Sequence, residues 1–400
     1  MLTGKTIILG VTGCIAAYKS AYLASALTKA GADVHVVMTK NATEFVGPHT
    51  FEALTGNRVS VDTFDRNYEH KTEHISLADA ADLVIVAPAT ANALAKFAHG
   101  IADDMLSTVV LACDCPKMAA PAMNTKMYLN EVTQDNIWIL KNYGWEILDP
   151  ASGRLACGTS GPGRMPEPEV LFEAVVHAAA HEKDMHGLKV LVTAGPTREA
   201  LDPVRFITNH SSGTMGYAIA KAAAARGAKV TLVSGPVALT KPSYVDVVDV
   251  TSAKEMYDAV TSHAPSCDIV IKAAAVADYR PAVVADEKIK KAADGSDSDT
   301  VLQLERTDDI LAALGRERRD GQFLCGFSME TQNVLENSRR KLFKKNLDMI
   351  AANSIREEGA GFGAGTNHLT LITADEEIDL PKVDKEELAY LLLDEIMKRR

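Results

Sequence analysis

The sequence predicts an α/β protein built from two open parallel sheets with helices on both faces. Two observations carry that expectation. Short apolar runs alternate with amphipathic helical stretches that begin near a glycine, and the same succession occurs twice along the 400 residues. A chain of this length, 47% hydrophobic and 24% charged, is long enough for two domains of roughly 200 residues.

In the first half, residues 5–9 read as a strand, 15–29 as a helix, 32–38 as a strand, and 81–87 as a strand ending in Pro88-Ala89-Thr90. The second half repeats the order, with a strand at 189–193, a helix at 217–226, and strands at 229–234 and 268–273. Between them, a helix at 170–180 gives way to the polar stretch 181–187. That change places a domain boundary near Asp184 and divides the chain into 1–184 and 185–400. At the C-terminus, Leu388, Leu391, Leu392, Leu393 and Ile396 form a broad apolar face over residues 385–398, as in a helix that docks on a core. Open parallel sheets bind ligands beyond the carboxyl ends of their strands. Chemistry is therefore expected in the loops after Leu9, Met38, Ala87, Thr193, Ser234 and Ala273.

A net charge of −11 argues against generic binding to nucleic acid or a membrane surface, where excess Lys and Arg supply the attraction. Anionic ligands must be met by local cations. The six cysteines (Cys14, Cys113, Cys115, Cys157, Cys267, Cys325) form no Cys-x-x-Cys pair or dense framework, as expected of free thiols in a reducing cytoplasm. The apolar run after Lys5 could imitate a signal peptide, but a glycine turn, a helix and a second strand follow it. No apolar run reaches about 18 residues, so no membrane span is expected.

Four stretches of the first half carry candidate chemistry. Gly10-Val11-Thr12-Gly13 lies between a strand and a helix and offers backbone N–H groups and a hydroxyl to a phosphate, without the Gly-x-Gly-x-x-Gly spacing of a dinucleotide fold. The run Pro121-Ala122-Met123-Asn124-Thr125-Lys126-Met127 reads as a loop. Its Asn amide can meet a carboxylate or amide while its Met side chains fill an irregular pocket. His74 stands at the polar approach to a helix, where a capping residue and a catalytic imidazole are both reasonable readings. Cys157, flanked by Gly153, Gly158, Gly161 and Gly163, sits on a segment unsuited to a core, which favours a functional thiol over a buried inert one.

In the second half, residues 194–199 and the polar loop 208–216 could cradle an anion or simply cap a helix. Residues 273–281 supply small side chains for close ligand approach and the acid Asp278. Lys288-Ile289-Lys290-Lys291 is a basic cluster on an acidic chain, for which solvated charge is the ordinary explanation.

The run 121–127 resembles the substrate-binding motif of the flavin-dependent cysteine decarboxylases, and residues 156–165 resemble their flap. The second half resembles phosphopantothenate-cysteine ligase. Nearly end to end, the chain thus resembles the bifunctional phosphopantothenoylcysteine decarboxylase / phosphopantothenate-cysteine ligases of bacterial coenzyme A biosynthesis, with two Rossmann-like (flavodoxin-like) domains. For the first domain the resemblance implies FMN, its phosphate seated by Gly10, Thr12, Gly13 and Thr39, with Pro88, Ala89, Thr90, Asn92 and the 100–104 turn bordering the same cofactor. It implies His74 as base or electrostatic partner, acting on flavin held by a neighbour in a trimer. Asn124 is implied to be catalytic, Cys157 to be the flap's proton donor, and Met127 and Arg164 to contact substrate. The chain departs from the usual flap by carrying Thr159-Ser160 where an acidic residue commonly follows Cys-Gly.

The chemistry explains the parts. A cysteine α-carboxylate has no electron sink, so oxidation of its thiol to a thioaldehyde must precede loss of carbon dioxide; the resulting enethiolate is then reduced, with Cys157 giving the proton.

For the second domain the resemblance implies an acyl-cytidylate made from CTP and phosphopantothenate and used by the cysteine amine, with Mg2+ assisting and its ligands unassigned. It implies Asn209 in handling that intermediate and Lys288 in the activating step. Ala273, Ala274, Asp278, Asp308, Asp309, Ile310, Leu311, Phe327, Lys341 and Lys345 are implied to line the nucleotide pocket. Thr214 stands where many relatives carry Lys. Dimers of this domain and trimers of the first would combine into a dodecamer. A noncatalytic flavin-binding regulatory protein is the alternative, disfavoured by the joint presence of His74, Asn124 and Cys157. A nicotinamide oxidoreductase suits the fold but lacks a dinucleotide fingerprint.

Overall fold

Runs of Ile, Leu and Val build the first sheet, whose strands are β1 (Thr6–Val11), β2 (Asp33–Met38), β3 (Leu83–Ala89), β4 (Lys117–Pro121) and β5 (Glu146–Ile147). They pair in the order β2-β1-β3-β4-β5, every pair parallel. β3 is buried throughout, as required of a strand covered on both faces. On one face, Ile8, Val37, Val84 and Val86 meet Leu94, Leu106, Val109 and Leu140 from helices Ala91–His99, Met105–Ala112 and Glu131–Asn142. Each such buried Leu adds roughly 1.5–3 kcal/mol. Helices Ala17–Lys29 and Pro168–Ala179 pack together against β3 as well. β6 (Ala151–Arg154) and β7 (Ser160–Arg164) form an antiparallel hairpin.

The computed structural model describes residues 2–64, 73–154, 158, 160–289, 301–330, 333–354 and 365–400. They fall into two units, Met1–Glu182 and Lys183–Arg400. Cys157 and Thr159 lie outside the described residues.

In the second unit the strands are β8 (Lys189–Ala194), β9 (Arg198–Ala200), β10 (Phe206–Thr208), β11 (Lys229–Ser234), β12 (Asp246–Asp249), β13 (Ile269–Lys272), β14 (Tyr279–Pro281), β15 (Leu304–Arg306), β16 (Phe323–Glu330), β17 (Met349–Ser354), β18 (Thr366–Asn367), β19 (Thr370–Ile372), β20 (Glu377–Asp379) and β21 (Val383–Asp384). The main sheet runs β12-β11-β8-β13-β16-β17-β19-β20. Its first six strands are parallel, and β19 and β20 add antiparallel pairs at one edge. Helices Thr214–Ala225 and Lys385–Arg399 cover one face, where Tyr217, Ile219, Leu388 and Leu392 join Val192 and Ile271. Met256, Val260, Leu311 and Leu314 of helices Ala253–His263 and Ile310–Glu317 cover the other. Among the described residues no helix is long and apolar enough to cross a membrane.

Element boundaries differ from the sequence pattern in ways that matter for the sites. β3 continues through Pro88 to Ala89, and its register against β4 shifts between Val86 and Ala89, which accommodates a residue with no N–H to give. The first helix begins at Ala17 rather than at residue 15, leaving residues 12–16 as a loop. The run 121–127 is not all loop: Pro121 ends β4, and Thr125–Tyr128 is a short helix. The reason is Asn124, a favoured N-cap residue, whose side chain accepts a hydrogen bond from the Lys126 N–H at 2.8 Å.

Candidate functional site

Numbered along the chain, the first sheet has the order 2-1-3-4-5, whose direction of winding reverses between β1 and β3. A crevice opens at such a reversal, beyond the carboxyl ends of the two strands. Here it is a cavity of about 730 Å³ lined by Thr12, Gly13, Thr39, Lys40, Asn41, Thr90, Asn92, Lys96, Asp103, Asp104, Met123 and Met127, among others. Its floor is tied together by Thr12, whose buried hydroxyl donates to the Pro88 carbonyl at 2.8 Å and accepts from the Thr90 N–H at 3.1 Å. The loop after β2 is pinned by the Thr39 N–H, which donates to the Val11 carbonyl at 3.0 Å. Gly13 lets the two loops touch, because a Cβ there would stand 2.5 Å from Asn41 Cβ.

Two helices start at this cavity with capped ends. Thr90 caps Ala91–His99, and Asp104 caps Met105–Ala112 in a reciprocal capping box with Ser107. Lys96 bridges Asp103 at 2.5 Å and Asp104 at 2.7 Å. Desolvation works against its charge, but those two hydrogen bonds hold the Lys96 ammonium above its ordinary pKa. One polar atom in the wall is left over: Thr39 Oγ1 is buried and makes no hydrogen bond.

Of the residues expected at this site, Thr12, Gly13, Thr39, Thr90, Asn92 and Met127 line the cavity. Gly10 lies in β1, and Pro88 and Ala89 lie in β3, the two strands that lead to it. His74 is half-buried near the start of helix Glu73–Ala80 and is not part of the cavity lining. Asn124 caps its short helix beside Met123, whose N–H donates to the Gly163 carbonyl at 3.0 Å. That bond lays β7 directly on the Met123–Thr125 turn. Arg164 is exposed and bridges Glu167 at 2.7 Å. Lys19, which the sequence did not single out, is buried and donates to the Met165 carbonyl and to Glu167, both at 3.0 Å. It anchors the end of the hairpin, and only a tertiary contact 146 residues apart in sequence reveals it.

The parallel part of the second sheet has the order 3-2-1-4-5-6 and reverses between β8 and β13. The loops after those strands are joined: the Ala275 N–H donates to the Gly195 carbonyl at 2.9 Å, and the Ala277 N–H donates to Thr197 Oγ1 at 3.0 Å. Beside them lies a cavity of about 390 Å³ lined by Lys272, Val276, Ala277, Asp278, Tyr279, Arg306, Thr307, Asp308, Asp309, Ile310, Leu311 and Lys345. Asp309 caps helix Ile310–Glu317 through the Ala312 N–H and pairs with Lys345 at 2.9 Å. Burial opposes its charge, yet the Lys345 hydrogen bond and the cap hold its carboxyl below the usual range.

The structure gathers Asp278, Asp308, Asp309, Ile310, Leu311 and Lys345 in this cavity and leaves Ala273, Ala274, Phe327 and Lys341 outside its lining. Ala274 donates to Thr193 Oγ1 at 3.0 Å, and Phe327 packs against the core on the other face of the sheet. Asn209 donates to the Ala275 carbonyl at 2.8 Å, in the β13 loop rather than in the cavity. Lys288 is exposed, but its neighbour Ile289 is held on both sides: its N–H donates to Asp202 at 3.1 Å and its carbonyl accepts from Arg205 at 2.8 Å. Asp202 also takes both the Val204 and Arg205 N–H groups at 2.8 Å. Thr214 shares a 2.8 Å hydrogen bond with Ser212. Among the described residues no cluster of three or more His, Cys, Asp or Glu is placed to hold a metal ion.

Residues 185–399 match the family model of the DNA/pantothenate metabolism flavoprotein C-terminal domain, and residues 1–180 match the Flavoprotein family. The chain is 48% identical to the coenzyme A biosynthesis bifunctional protein CoaBC of Vibrio vulnificus (strain CMCP6), over 395 residues that cover 99% of this chain and 98% of that one. It is 46% identical to the protein of that name from Bacillus subtilis (strain 168), covering 99% and 97%. The corresponding protein of Escherichia coli (strain K12) is 47% identical, covering 100% of this chain and 98% of its own.

Proposed function

The chain belongs to the family of bifunctional coenzyme A biosynthesis proteins, enzymes with decarboxylase and ligase activities, and we propose that residues 1–184 carry out the decarboxylation and residues 185–400 the ligation. In this reading the second unit joins phosphopantothenate to cysteine at the expense of CTP. The first then converts phosphopantothenoylcysteine to phosphopantetheine with FMN.

The observation that carries the first half is the crevice between β1 and β3, with hydroxyls and backbone N–H groups around it and one buried hydroxyl, Thr39 Oγ1, still in want of a partner. This donor set fits a phosphate-bearing flavin, and the volume lies in the range of cofactor sites. Thr12, Gly13, Thr39, Thr90 and Asn92 would hold it, with Gly10, Pro88 and Ala89 behind them. When bound, FMN supplies reversible two-electron chemistry at the substrate's thiol end. The chain's own residues do the rest. Asn124, oriented by its cap geometry, presents an amide to the substrate carboxylate. Met127 and Arg164 contact the remainder of the substrate, His74 acts as base or electrostatic partner, and Cys157 delivers the final proton to carbon.

In the ligase, the carboxylate of phosphopantothenate attacks the α-phosphate of CTP and pyrophosphate leaves; the cysteine amine then displaces CMP from the acyl-cytidylate. Lys288 offsets charge developing on the phosphate, held in place through Ile289 by Asp202 and Arg205. Asn209 handles the acyl-cytidylate, and Asp278, Asp308, Asp309, Ile310, Leu311 and Lys345 form the wall of the nucleotide site, with Ala273, Ala274, Phe327 and Lys341 nearby. Mg2+ enters on the nucleotide's phosphates. The enzyme acts in the cytoplasm as a homo-oligomer, trimeric through its first unit and dimeric through its second, combining into a dodecamer.

Mass spectrometry of the FMN-loaded protein with phosphopantothenate, cysteine, Mg2+ and either CTP or ATP tests the whole reading. Phosphopantetheine, CMP and pyrophosphate are the expected products. Accumulated phosphopantothenoylcysteine would confine activity to the ligase, and flavin binding without any turnover would return the regulatory-protein reading.

A further inference from the structure

Among the described residues, Lys272 of the second unit forms no ion pair. Lys272 ends β13 on the same face as Val270, which joins the core under helices Ala253–His263 and Ile310–Glu317. Its parallel neighbour in β16 is Gly326, which has no side chain to meet it. Lys272 lines the 390 Å³ cavity, and among the described residues its ammonium makes no hydrogen bond or ion pair.

The other cations there are differently placed. Lys345 is held by Asp309 at 2.9 Å, and Arg306 is exposed. The charged groups acting on Lys272 are Lys341 and Lys345 at the end of helix Val334–Lys344, Asp278 in the loop after β13, and Asp309 at the cap of helix Ile310–Glu317. Burial, followed by repulsion from Lys345, pushes the ammonium down to about 8. An unpaired ammonium in such a place is retained at a cost to folding that a bound anion offsets.

We propose that Lys272 is a nucleotide-binding residue of the ligase, whose ammonium takes a phosphate oxygen of CTP where Lys345 already has Asp309. The inference rests on reading this cavity as the nucleotide site. A bound phosphate raises the pKa of Lys272, so above about pH 8 CTP binding takes up a proton and weakens as pH rises. Below about pH 7 the ammonium is already formed and no uptake is expected from it.

Calorimetric titration of the full-length protein with CTP and Mg2+, in two buffers of different ionisation enthalpy at about pH 8.5, counts the protons. The expected result is uptake in the wild type. Lys272→Met should bind CTP about ten- to a hundredfold more weakly, the range of a charge-assisted hydrogen bond, and lose the uptake. Lys272→Arg, which cannot deprotonate, should keep the affinity without the uptake. Wild-type CTP binding without proton uptake, or wild-type affinity in Lys272→Met, would overturn the assignment. If Lys272→Met does not fold, the wild-type proton count and the Arg variant still decide. A wild type that binds no CTP at any pH is a distinct result, and it overturns the nucleotide reading of the cavity itself.

Discussion

Gly163 is the point where the hairpin rests on the turn that presents Asn124, and replacing it by Ala isolates that contact. Its φ is +132°, and a Cβ there would stand 2.3 Å from the Met123 carbonyl oxygen. Restoring an ordinary C···O distance of about 3.3 Å requires β7 and the turn to part by roughly 1 Å. The left-handed backbone adds ~1–3 kcal/mol for a residue with a Cβ, and losing the Met123 N–H to Gly163 carbonyl bond adds about 1 kcal/mol. If the ~2–4 kcal/mol falls on hairpin docking, the docked population drops by roughly 30- to 1,000-fold. We expect Gly163→Ala to lower the turnover of phosphopantothenoylcysteine, measured as carbon dioxide release, by about a hundredfold, in keeping with a 1 Å misplacement near a reacting centre. Pyrophosphate release by the ligase should stay within about twofold, because the change lies in the other unit. Gly153→Ala is the control: it sits in the same hairpin, yet its Cβ would come no closer than 3.9 Å to Arg164 Nη1. Wild-type decarboxylation in Gly163→Ala, or an equal loss in both glycine variants, would show that this contact does not position the Met123–Thr125 turn for catalysis.

Thr39→Val removes the one buried hydroxyl of the first cavity that lacks a partner, and flavin retained after dialysis, read by absorbance, should fall while the thermal midpoint holds. An unchanged flavin content would remove Thr39 from the phosphate seat. Asp202→Asn breaks the bracket around Ile289, and ligase turnover should drop at least tenfold with decarboxylation intact; equal turnover would separate Lys288 from that bracket. The Arg205 hydrogen bond holds the Asp202 carboxyl well below the usual range, so its stabilisation is complete above about pH 4 and is lost as pH falls through the folded value. Acid unfolding of the second unit, followed by circular dichroism, should therefore be milder in pH dependence for Asp202→Asn, and an identical acid limb would contradict this. Cys115 is held below its ordinary pKa by a hydrogen bond from Cys113, which shifts upward in turn. Mass-spectrometric mapping should find Cys115 alkylated by iodoacetamide before Cys113 near neutral pH, and the reverse order would be evidence against that polarity.

Much of the architecture was legible because it rests on periodicity. β1, β8 and β11 are runs of β-branched and aliphatic residues between turns, and the C-terminal helix shows its apolar face in the spacing of Leu388, Leu392 and Ile396. β4 was not legible, because Lys-Met-Ala-Ala-Pro carries no β-branched residue and its strand character comes from pairing with β3. Asn124 read as a loop residue and proved also to cap a helical turn too short to show periodicity. Of the loops that line the two cavities, those after Leu9, Met38, Ala87 and Ala273 could be placed from sequence, since the ends of parallel strands are ligand sites on any such sheet. The partners within them could not. Asp202 meets Ile289 across 87 residues and Lys19 meets Met165 across 146, and no local pattern encodes either contact. Lys272 looks like the solvated end of a strand until the cavity and its missing counter-ion are seen together.

The charge arrangement of the two sites follows from the same constraint. A chain of net charge −11 that takes anionic ligands cannot rely on its overall field to hold them. Nor can it rely on lysines already committed, since Lys96 is spent on Asp103 and Asp104, and Lys345 on Asp309. In the first cavity what remains, apart from the exposed Lys40, is neutral: the Thr39 hydroxyl and backbone N–H groups at helix starts, donors that need no counter-ion when the site is empty and suit a cofactor that stays bound. In the second, Lys272 remains, a charge that burial has already pushed toward neutrality. Such a group costs the empty site less than a full ammonium would, and it gains its proton when a phosphate arrives. That difference suits a triphosphate whose charge must be met during one turnover and then released as pyrophosphate and CMP.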